Sequence, residues 1–579
     1  MKPIIKKLII AYLIIVLIKI LLAHFISYPT GFWDEYIYSK LARSFYYSHN
    51  FNVEQYQSPF YPPLYPIIMS VSYIFTNMKV VYFFMKIINT LISTSLIIPA
   101  YLLAKEFLEE KEVFPVIILI ALLPISFSFS YYILAENLFY PLFLFSVYFI
   151  YKSLKENSIK NNILAGLFIS LSYLTKELGL SLIIIYFISH IANKLLFKEK
   201  LKIKNLIICL FIIILVISPW LIRNYLVLEP SINGVLGETF KDNVESALSS
   251  EKHKGYYFFA LFNWIIIHIT ALAISSGLFF FFLSFFALKN IKEKKFKDFL
   301  IVAFTTTIIF ILVLSNNALG PQPKDLPKIF SYFTGRAVLR YIDILIPIII
   351  ILGTVGLKKY YEEPNKKTLK KIILLSLPFF IISSQLTLTP LFPINNLSLT
   401  HVGITKTIIN YIMKIPLETI FNPVVYSIML IIFIGLPFLV LLTNKLNFKK
   451  IISIILAVNI LILILNFSIV VYKTETWKNN EQLNLGLWFN ENNIKNSNVL
   501  FDIRDEGDSL TEKKALFNKI KEKQYKTQHL TLIGFFMDNN LFFDDINKTE
   551  NINYIISTHK LNFPLIKQTE NINVYKISN

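Results

Sequence analysis

The sequence is poor in charged residues and has a single cysteine. Only 16% of its 579 residues are charged, whereas soluble domains usually carry about a quarter. Uncharged runs such as Leu206–Ile222 and Ile451–Tyr472 approach or exceed the roughly 20 residues that cross a bilayer. A soluble globular enzyme is therefore excluded, and so is disorder, because such an apolar chain has to hide its surface. Cys209 alone excludes an intrachain disulfide framework and a cysteine metal site.

The positive charge is confined to the apolar part of the chain. The net charge is +20, and the 14 basic and 14 acidic residues after Tyr472 cancel, so the whole excess precedes that residue. Such an excess beside membrane spans indicates topology rather than nucleic-acid binding. We therefore expect no nucleic-acid partner.

The apolar runs predict a polytopic α-helical membrane protein with about 13 transmembrane helices. The first run follows Lys6 and Lys7, is long and lacks a small-residue cleavage site, so it indicates a retained span rather than a signal peptide. Lysine-rich short loops on the side of Met1 predict a cytoplasmic N-terminus in the cell membrane. The predicted spans are 8–27, 80–104, 113–131, 137–154, 161–175, 177–196, 205–222, 259–288, 298–315, 341–357, 371–388, 419–443 and 450–472.

This topology predicts two domains. Residues 1–472 would form the membrane domain, and residues 473–579 a small extracytoplasmic α/β domain. The tail pattern predicts a helix over 481–492 and strands over 498–502, 554–557 and 573–577. The long loops of the membrane domain would all face outward, which is where we expect the functional residues: 28–79, 223–258, 316–340 and 389–418.

Three acids lie at predicted outer span ends. Asp34 and Glu35 follow the first span among aromatic residues, where an acid can act as a general base. An ordinary solvated pair of loop carboxylates is the alternative. Glu136 lies in the second outer turn without a basic neighbour in sequence, which is typical of a functional acid at a membrane boundary. Its alternative is a helix N-terminal acid that offsets the dipole.

Arginine is scarce, with five residues against a background of lysine. Its planar fork binds phosphate or carboxylate through two parallel hydrogen bonds, so Arg223 and Arg340 at outer span ends indicate an anionic lipid. Headgroup anchoring is the alternative. Lys176, in Thr175-Lys176-Glu177, opposes the charge bias of the topology and indicates phosphate binding, unless it only pairs with Glu177.

The order of these motifs resembles the GT-C fold membrane glycosyltransferases. It is similar to the dolichyl-phosphate-mannose protein mannosyltransferases and the lipid A aminoarabinose transferases. The resemblance covers roughly residues 1–350. It rests on Asp34-Glu35, Pro62-Pro63-Leu64, Glu136, Gly166 through Thr175-Lys176-Glu177-x-Gly179, Pro219-Trp220-x-x-Arg223-Asn224 and Arg340-Tyr341.

The resemblance implies transfer of a sugar from a polyprenyl-phosphate-linked donor to a protein, lipid or glycan acceptor at the outer face. Asp34 would take the proton of the acceptor hydroxyl, with Glu35 beside it in the catalytic site. Glu35 and Glu136 would shape the acceptor or metal site. The donor phosphate would be bound, and stabilised as it leaves, by Lys176, Arg223 and Arg340.

Two departures limit the resemblance. A Trp-Trp-Asp-Tyr-Gly run is absent, which argues against an oligosaccharyltransferase, and the second outer turn has no Asp-x-Asp. No cofactor is therefore certain, and a divalent cation stays open. A secondary transporter or lipid flippase is the alternative function. Transporters usually show repeated halves and broken midplane segments, whereas the ionisable residues here cluster at outer ends.

Overall fold

The structure is a computed structural model. It describes residues 3–29, 33–54, 56–57, 61–156, 158–227, 257–276, 278–288, 294–318, 339–362, 367, 374, 448–475, 477–502, 532–544 and 551–577. The predicted outer loop 389–418, the predicted span 419–443 and all of the predicted span 371–388 except residue 374 lie outside the described residues.

The chain forms two compact units. The helical unit comprises Met1–Val16, Ile92–Phe129 and Glu136–Phe467, and the mixed unit comprises Leu17–Leu91, Ser130–Ala135 and Ser468–Asn579. The chain enters the mixed unit for the last time at Ser468, close to the predicted domain boundary at 472. The mixed unit also contains the whole of the first predicted outer loop, 28–79.

Most described residues are helical. The helices, numbered in chain order over the described residues, are α1 (Pro3–Ala23), α2 (Trp33–Ser48), α3 (Leu64–Ser70), α4 (Met78–Thr94), α5 (Ile97–Ala104), α6 (Glu110–Ala121), α7 (Pro124–Phe127), α8 (Glu136–Glu156), α9 (Ile159–Thr175), α10 (Ser181–Phe197), α11 (Ile203–Val227), α12 (Tyr257–Ser275), α13 (Phe279–Ala287), α14 (Lys294–Asn317), α15 (Leu339–Ile342), α16 (Ile346–Glu362), α17 (Phe448–Glu475) and α18 (Glu481–Glu491). Short 3₁₀ helices follow α3, α7, α9 and α15.

Seven stretches of helix in the described residues are long and apolar enough to cross a membrane: Met78–Ala104, Glu177–Phe197, Ile203–Val227, Phe258–Ser275, Phe296–Asn317, Arg340–Glu362 and Phe448–Tyr472. The pair Glu110–Ala121 and Pro124–Tyr131, bent by 59°, gives an eighth if it forms one span. The chain is thus a multi-pass membrane protein, as the hydropathy predicted. The number thirteen stays a prediction.

One predicted span is wrong in its extent. The apolar run 259–288 forms two helices, α12 and α13, with a break between Ser275 and Phe279. Leu278 has a φ of 41° at this break, a left-handed backbone that a branched side chain rarely adopts. The hydropathy of the run hides the break because the residues on both sides are equally apolar.

Two glycines bring helices of the helical unit into close contact. A Cβ atom at Gly353 of α16 would lie 2.4 Å from the Phe280 carbonyl oxygen of α13, and one at Gly356 would lie 1.8 Å from that of Leu283. Both distances are far below van der Waals contact, so α13 and α16 touch through their backbones. Small residues allow this kind of packing between membrane helices, where no hydrophobic effect drives association.

The mixed unit contains a five-stranded sheet in the order β4-β3-β5-β7-β6. Its strands are β3 (Asn498–Asp502), β4 (Asn540–Asp544), β5 (Tyr554–Ser557), β6 (Leu565–Gln568) and β7 (Asn573–Lys576), and a short hairpin earlier in the chain pairs β1 (Asn52–Val53) with β2 (Tyr56–Gln57). β3 runs parallel to β4 and β5, while β7 is antiparallel to β5 and β6. The helix and strands predicted from the tail match α18, β3, β5 and β7.

One face of this sheet is covered by α18. Leu485 and Phe489 pack there in one apolar cluster with strand residues such as Val499 and Val574. Apolar side chains alternate along β3, because Val499 and Phe501 belong to that cluster whereas Leu500 packs on the opposite face. The tail therefore builds a core of its own without disulfides.

Candidate active site

Glu136 is the first residue of α8, and its side chain is only 1% exposed. A carboxylate at this position is stabilised by the partial positive charge of the helix N-terminus. Burial nevertheless makes a lone carboxylate costly, so it needs cationic or hydrogen-bonding partners. Residues distant in sequence supply these partners.

Lys176 is one partner. It follows α9 with φ −155° and ψ 134°, an extended conformation that ends the helix before the 3₁₀ turn Glu177–Leu180 begins. Gly179 fixes this turn against α9, because a Cβ atom there would lie 2.4 Å from the Tyr173 backbone nitrogen. The close approach directs the Lys176 ammonium to Glu136, with 2.6 Å between Nζ and Oε1.

Arg340 of α15 is the second partner. Its Nε lies 3.1 Å from the same Glu136 Oε1, and its Nη2 donates a hydrogen bond of 3.2 Å to the Tyr341 hydroxyl. The Lys176 ammonium lies 4.4 Å from the centroid of the Tyr341 ring, within the range of a cation–π interaction. Glu136, Lys176, Arg340 and Tyr341 are called the Glu136 cluster below.

The Glu136 cluster holds more positive than negative charge. Two cations share one carboxylate oxygen, and the side chains of Lys176 and Arg340 are 11% and 6% exposed. Lys176 brings three N–H donors and Arg340 five, and both side chains contact the same carboxylate. In a site of low dielectric constant, this arrangement favours a second anion next to the cations.

Asp343 is a residue to which sequence reasoning assigned no role. It is fully buried in the turn after α15, and neither carboxylate oxygen accepts a hydrogen bond from the described residues. Buried polar groups usually have partners, so an exception at a candidate site needs an explanation. The only signal in the sequence is an acid three residues after Arg340, at the start of an apolar run.

Arg223, the third predicted phosphate ligand, has its described contacts within its own helix. Its guanidinium carbon lies 4.9 Å from the centroid of the Trp220 ring, and Nη1 donates to Asn224 Oδ1 at 3.1 Å. None of the described contacts of Arg223 is with a residue of the Glu136 cluster. Its role in phosphate binding stays a prediction.

Asp34 and Glu35 belong to the mixed unit. Both lie in the first turn of α2. Asp34 is half-buried, and its Oδ1 accepts a hydrogen bond of 3.1 Å from the Tyr61 hydroxyl. Glu35 is buried, and its Oε1 accepts one of 3.0 Å from the Ile133 backbone nitrogen. Asp34 is thus the more accessible carboxylate, whereas Glu35 fastens α2 to the segment 130–135.

The described residues do not fit a metal site. They contain no group of three or more His, Cys, Asp or Glu side chains that could hold a metal ion. Glu136 Oε1 already contacts two cations, which would repel a divalent ion.

The fold is that of the GT-C membrane glycosyltransferases, as the sequence motifs indicated. The sequence profile of the dolichyl-phosphate-mannose-protein mannosyltransferase family matches residues 61–222. This segment includes Glu136 and Lys176 and ends one residue before Arg223. No curated protein sequence matches the chain.

Two solved structures resemble the protein over most of its length. ArnT from Cupriavidus metallidurans, bound to undecaprenyl phosphate, has a TM-score of 0.55 and 11% identity, with 98% of this chain and 97% of ArnT covered. The oligosaccharyltransferase of Archaeoglobus fulgidus has a TM-score of 0.43 and 11% identity, with 94% and 69% covered. The fold assignment rests on the first of these.

Proposed function

We propose that this protein is an integral membrane glycosyltransferase that moves a sugar from a polyprenyl-phosphate-linked donor to an acceptor on the outer face of the membrane. The acceptor would be a protein, a lipid or a glycan. The observation that carries the proposal is the Glu136 cluster, in which Lys176 and Arg340 share one buried carboxylate. An enzyme whose leaving group is a lipid phosphate needs this kind of fixed positive charge.

The transferred group would be a sugar attached through its anomeric carbon to the phosphate of the lipid. The acceptor hydroxyl oxygen forms a bond to that carbon, and the bond between the carbon and the phosphate oxygen breaks. The electron pair of the broken bond goes to the polyprenyl phosphate, whose negative charge Lys176 and Arg340 would stabilise. The proton of the acceptor hydroxyl would go to Asp34, the role that the sequence resemblance implies.

Glu136 has a different role in this proposal from that of an acceptor or metal ligand. Its Oε1 holds the Lys176 ammonium at 2.6 Å and the Arg340 guanidinium at 3.1 Å. Fixed donors stabilise a leaving group better than mobile ones, because they need no reorganisation during the reaction. Glu136 would therefore orient the two cations before the donor binds.

The solved relative supports the choice of donor. The ArnT structure with the same fold contains undecaprenyl phosphate, a polyprenyl phosphate. The surplus of positive charge in the Glu136 cluster suits the same chemical group. The lysine pattern of the short loops supports action on the outer side, because it predicts a cytoplasmic Met1.

The proposal can be tested with the purified full-length protein in liposomes. The protein is incubated with a panel of polyprenyl-phosphate sugars and with cell-envelope acceptors, and both products are measured by mass spectrometry. A glycosyltransferase releases free polyprenyl phosphate in equal amount to the glycosylated acceptor. Movement of intact donor between leaflets without its cleavage would instead identify a flippase and contradict the proposal.

Variants connect the activity with the cluster. Replacing a donor that stabilises developing negative charge usually costs about 10²–10³-fold in rate, and we expect this loss for Lys176→Ala and Arg340→Ala. Lys194→Ala is a matched control, because Lys194 lies exposed in the last turn of α10. Equal activity of all three variants would contradict the role of the Glu136 cluster.

A further inference from the structure

A second polar site lies within the mixed unit. It is a cavity of about 370 Å³. Its size lies within the range of roughly 300–1,000 Å³ that is usual for small-molecule pockets. Its wall combines the C-terminal half of α2, the hairpin β1–β2 and the ends of β3 and β4: Lys40, Arg43, Ser44, Tyr47, Ser48, Asn50, Asn52, Glu54, Asn496 and Asn540.

The charged groups of this wall are already neutralised in pairs. Lys40 Nζ lies 3.2 Å from Glu54 Oε1, and Arg43 Nε lies 2.8 Å from Asp538 Oδ1. Each pair has one cation and one carboxylate, so each cation of the wall has a counter-ion, although Asp538 is not itself a lining residue. A ligand with a net charge would have to compete with an existing pair.

The charged pairs are held rigidly. Glu54 has a φ of 57°, a left-handed conformation that needs support from its surroundings when the residue is not glycine. Its carboxylate accepts hydrogen bonds from the Tyr36 hydroxyl at 2.5 Å and the Leu541 backbone nitrogen at 3.3 Å. Arg43 also donates to Asn540 Oδ1 at 3.2 Å and to Asn496 Oδ1 at 3.4 Å. The cavity is therefore preformed.

The remaining wall consists of uncharged hydrogen-bonding groups. Four asparagines and two serines line it, and an asparagine amide presents both donors and an acceptor. Asn52 Oδ1 is buried and has no hydrogen-bond partner among the described residues. Such an atom is a free acceptor that a ligand hydroxyl can satisfy.

We propose that this cavity binds an uncharged saccharide. Neighbouring hydroxyls of a sugar donate and accept in turn, which matches the asparagine amides, and the paired charges on the wall strengthen hydrogen bonds without demanding a charged ligand. The site goes beyond the proposed transfer activity, because it needs neither a lipid-linked donor nor the Glu136 cluster. An anionic ligand would be expected at a site with surplus cations, and this cavity has none among its described residues.

Binding can be measured without any donor lipid. The full-length protein in nanodiscs is titrated with glucose, mannose, galactose, N-acetylglucosamine and maltose, and contact is detected by saturation-transfer difference NMR. We expect at least one of these sugars to bind. Inorganic phosphate at equal concentration should not displace it. Absence of binding by all five sugars, or displacement by phosphate, would overturn the proposal.

Three variants locate the binding. Asn52→Ala removes the free acceptor without breaking a described hydrogen bond of Oδ1, so it should keep the thermal unfolding midpoint and weaken binding at least fivefold. Ser48→Phe should fill the cavity and abolish binding. Asn484→Ala is the matched control, because Asn484 lies exposed on α18. Equal affinity of Asn52→Ala, Ser48→Phe and Asn484→Ala would place the saccharide elsewhere and refute the site.

The two proposals can fail separately. If the protein binds the saccharide but cleaves no lipid-linked donor, the saccharide site is supported and the proposed transfer activity is refuted. If the protein binds no free saccharide and Asn52→Ala transfers sugar at an unchanged rate, the proposed transfer activity is supported and the saccharide site is refuted.

Discussion

The Glu136 cluster of the helical unit and the charged pairs of the mixed unit are both built from lysine, arginine and carboxylate side chains, but they combine them differently. In the first, Lys176 and Arg340 share one carboxylate oxygen. In the second, Lys40 pairs with Glu54, and Arg43 has a carboxylate of its own in Asp538. Both sets are buried. The difference between the two sets is that Lys176 and Arg340 contact one and the same carboxylate, whereas Lys40 and Arg43 contact two different ones.

The difference in charge balance bears on function, because an uncompensated charge is costly when it is buried. A balanced buried pair mainly fixes conformation and adds little net stability. An unbalanced set has to be completed by a ligand or tolerated at a cost. In the proposed reaction, the imbalance would lie where the lipid phosphate binds and leaves, whereas the balanced pairs would keep the fold fixed.

The largest effect is expected at Asp34. Asp34→Asn removes the proposed proton acceptor and should lower sugar transfer by about 10²–10⁴-fold, the usual contribution of a general base. Binding of undecaprenyl phosphate should remain unchanged, because that task is assigned to the helical unit. Both are measured on purified protein, by product formation and by a lipid-binding assay.

Glu570→Gln is the control for Asp34→Asn, because Glu570 is an exposed acid of the same unit. Its transfer rate should equal that of the unchanged protein. Normal transfer by Asp34→Asn would remove the chemical step from the mixed unit and leave only the helical unit as the catalytic part.

The next effect sharpens the contrast between the two sets of charges. Glu136→Gln and Asp538→Asn each leave buried cations without their carboxylate, which usually costs about 3–5 kcal/mol. Undecaprenyl phosphate should restore much of the thermal stability of Glu136→Gln, because its phosphate replaces the missing anion. It should restore none for Asp538→Asn. Equal rescue of both variants, measured by unfolding midpoints, would mean that the comparison is wrong.

A smaller effect tests whether the pair in the mixed unit is structural. Arg43→Met alone leaves Asp538 unpaired and should destabilise the protein, as should Asp538→Leu alone. The double variant should recover most of the loss, because two apolar side chains of suitable size often replace a buried ion pair at little cost. A double-mutant cycle of unfolding midpoints measures the recovery. Additive losses would show that the two residues do not act as a pair.

The smallest effect is a pH dependence from Lys40. Burial lowers the pKa of Lys40 below the ordinary 10.5, with the attraction of Glu54 opposing this only in part. The unfolded chain then binds the proton more strongly than the folded chain, so stability should rise as the pH approaches 10.5 from below. Below pH 10, the unfolding midpoint of the protein should therefore increase as the pH approaches the ordinary lysine pKa of 10.5.

Lys40→Met supplies the comparison for this trend, because it should have a flatter dependence over the same range. Tyr36 acts in the opposite direction, since burial and Glu54 raise the pKa of its hydroxyl above the ordinary 10.0. The effect of Tyr36 on stability begins only near pH 10, so it does not alter the trend expected below that pH. A slope of the same size in Lys40→Met would assign the effect to another group.

Much of the fold follows from the sequence because membrane spans are long and uniformly apolar. The runs behind α11 and α17 are predicted within a few residues. The break between α12 and α13 was not predicted, because hydropathy does not register a local change of backbone direction. The tail elements α18 and β3 were predicted from the local sequence pattern, whereas the order of the strands in the sheet depends on long-range pairing.

The residues of the candidate site were predicted from the sequence, but the contacts among them were not. Lys176 and Arg340 were expected to bind phosphate, and Glu136 to act as a lone acid. The structure instead joins all three on one oxygen. The alternative for Lys176 was an ion pair with its sequence neighbour Glu177, whereas its ammonium contacts Glu136. Local spacing cannot reveal partners that are 40 residues apart, as Lys176 and Glu136 are.

The charged cavity of the mixed unit was not predicted at all. Neither Arg43 nor Asp538 was assigned a role from the sequence. The two residues are 495 positions apart in the chain. Nothing in the pattern of either segment points to the other, so only the three-dimensional structure pairs them.

The pairing of Arg43 with Asp538 also imposes an order on biosynthesis. Arg43 is synthesised early, whereas its carboxylate partner Asp538 is added to the chain 495 residues later. At about 5–20 residues per second, this delay amounts to roughly 25–100 s of translation. During that time the nascent helix has to keep its guanidinium hydrated or shielded by another molecule. A cell that truncates the chain after the last long apolar helix would therefore retain a segment that never finds its counter-ion.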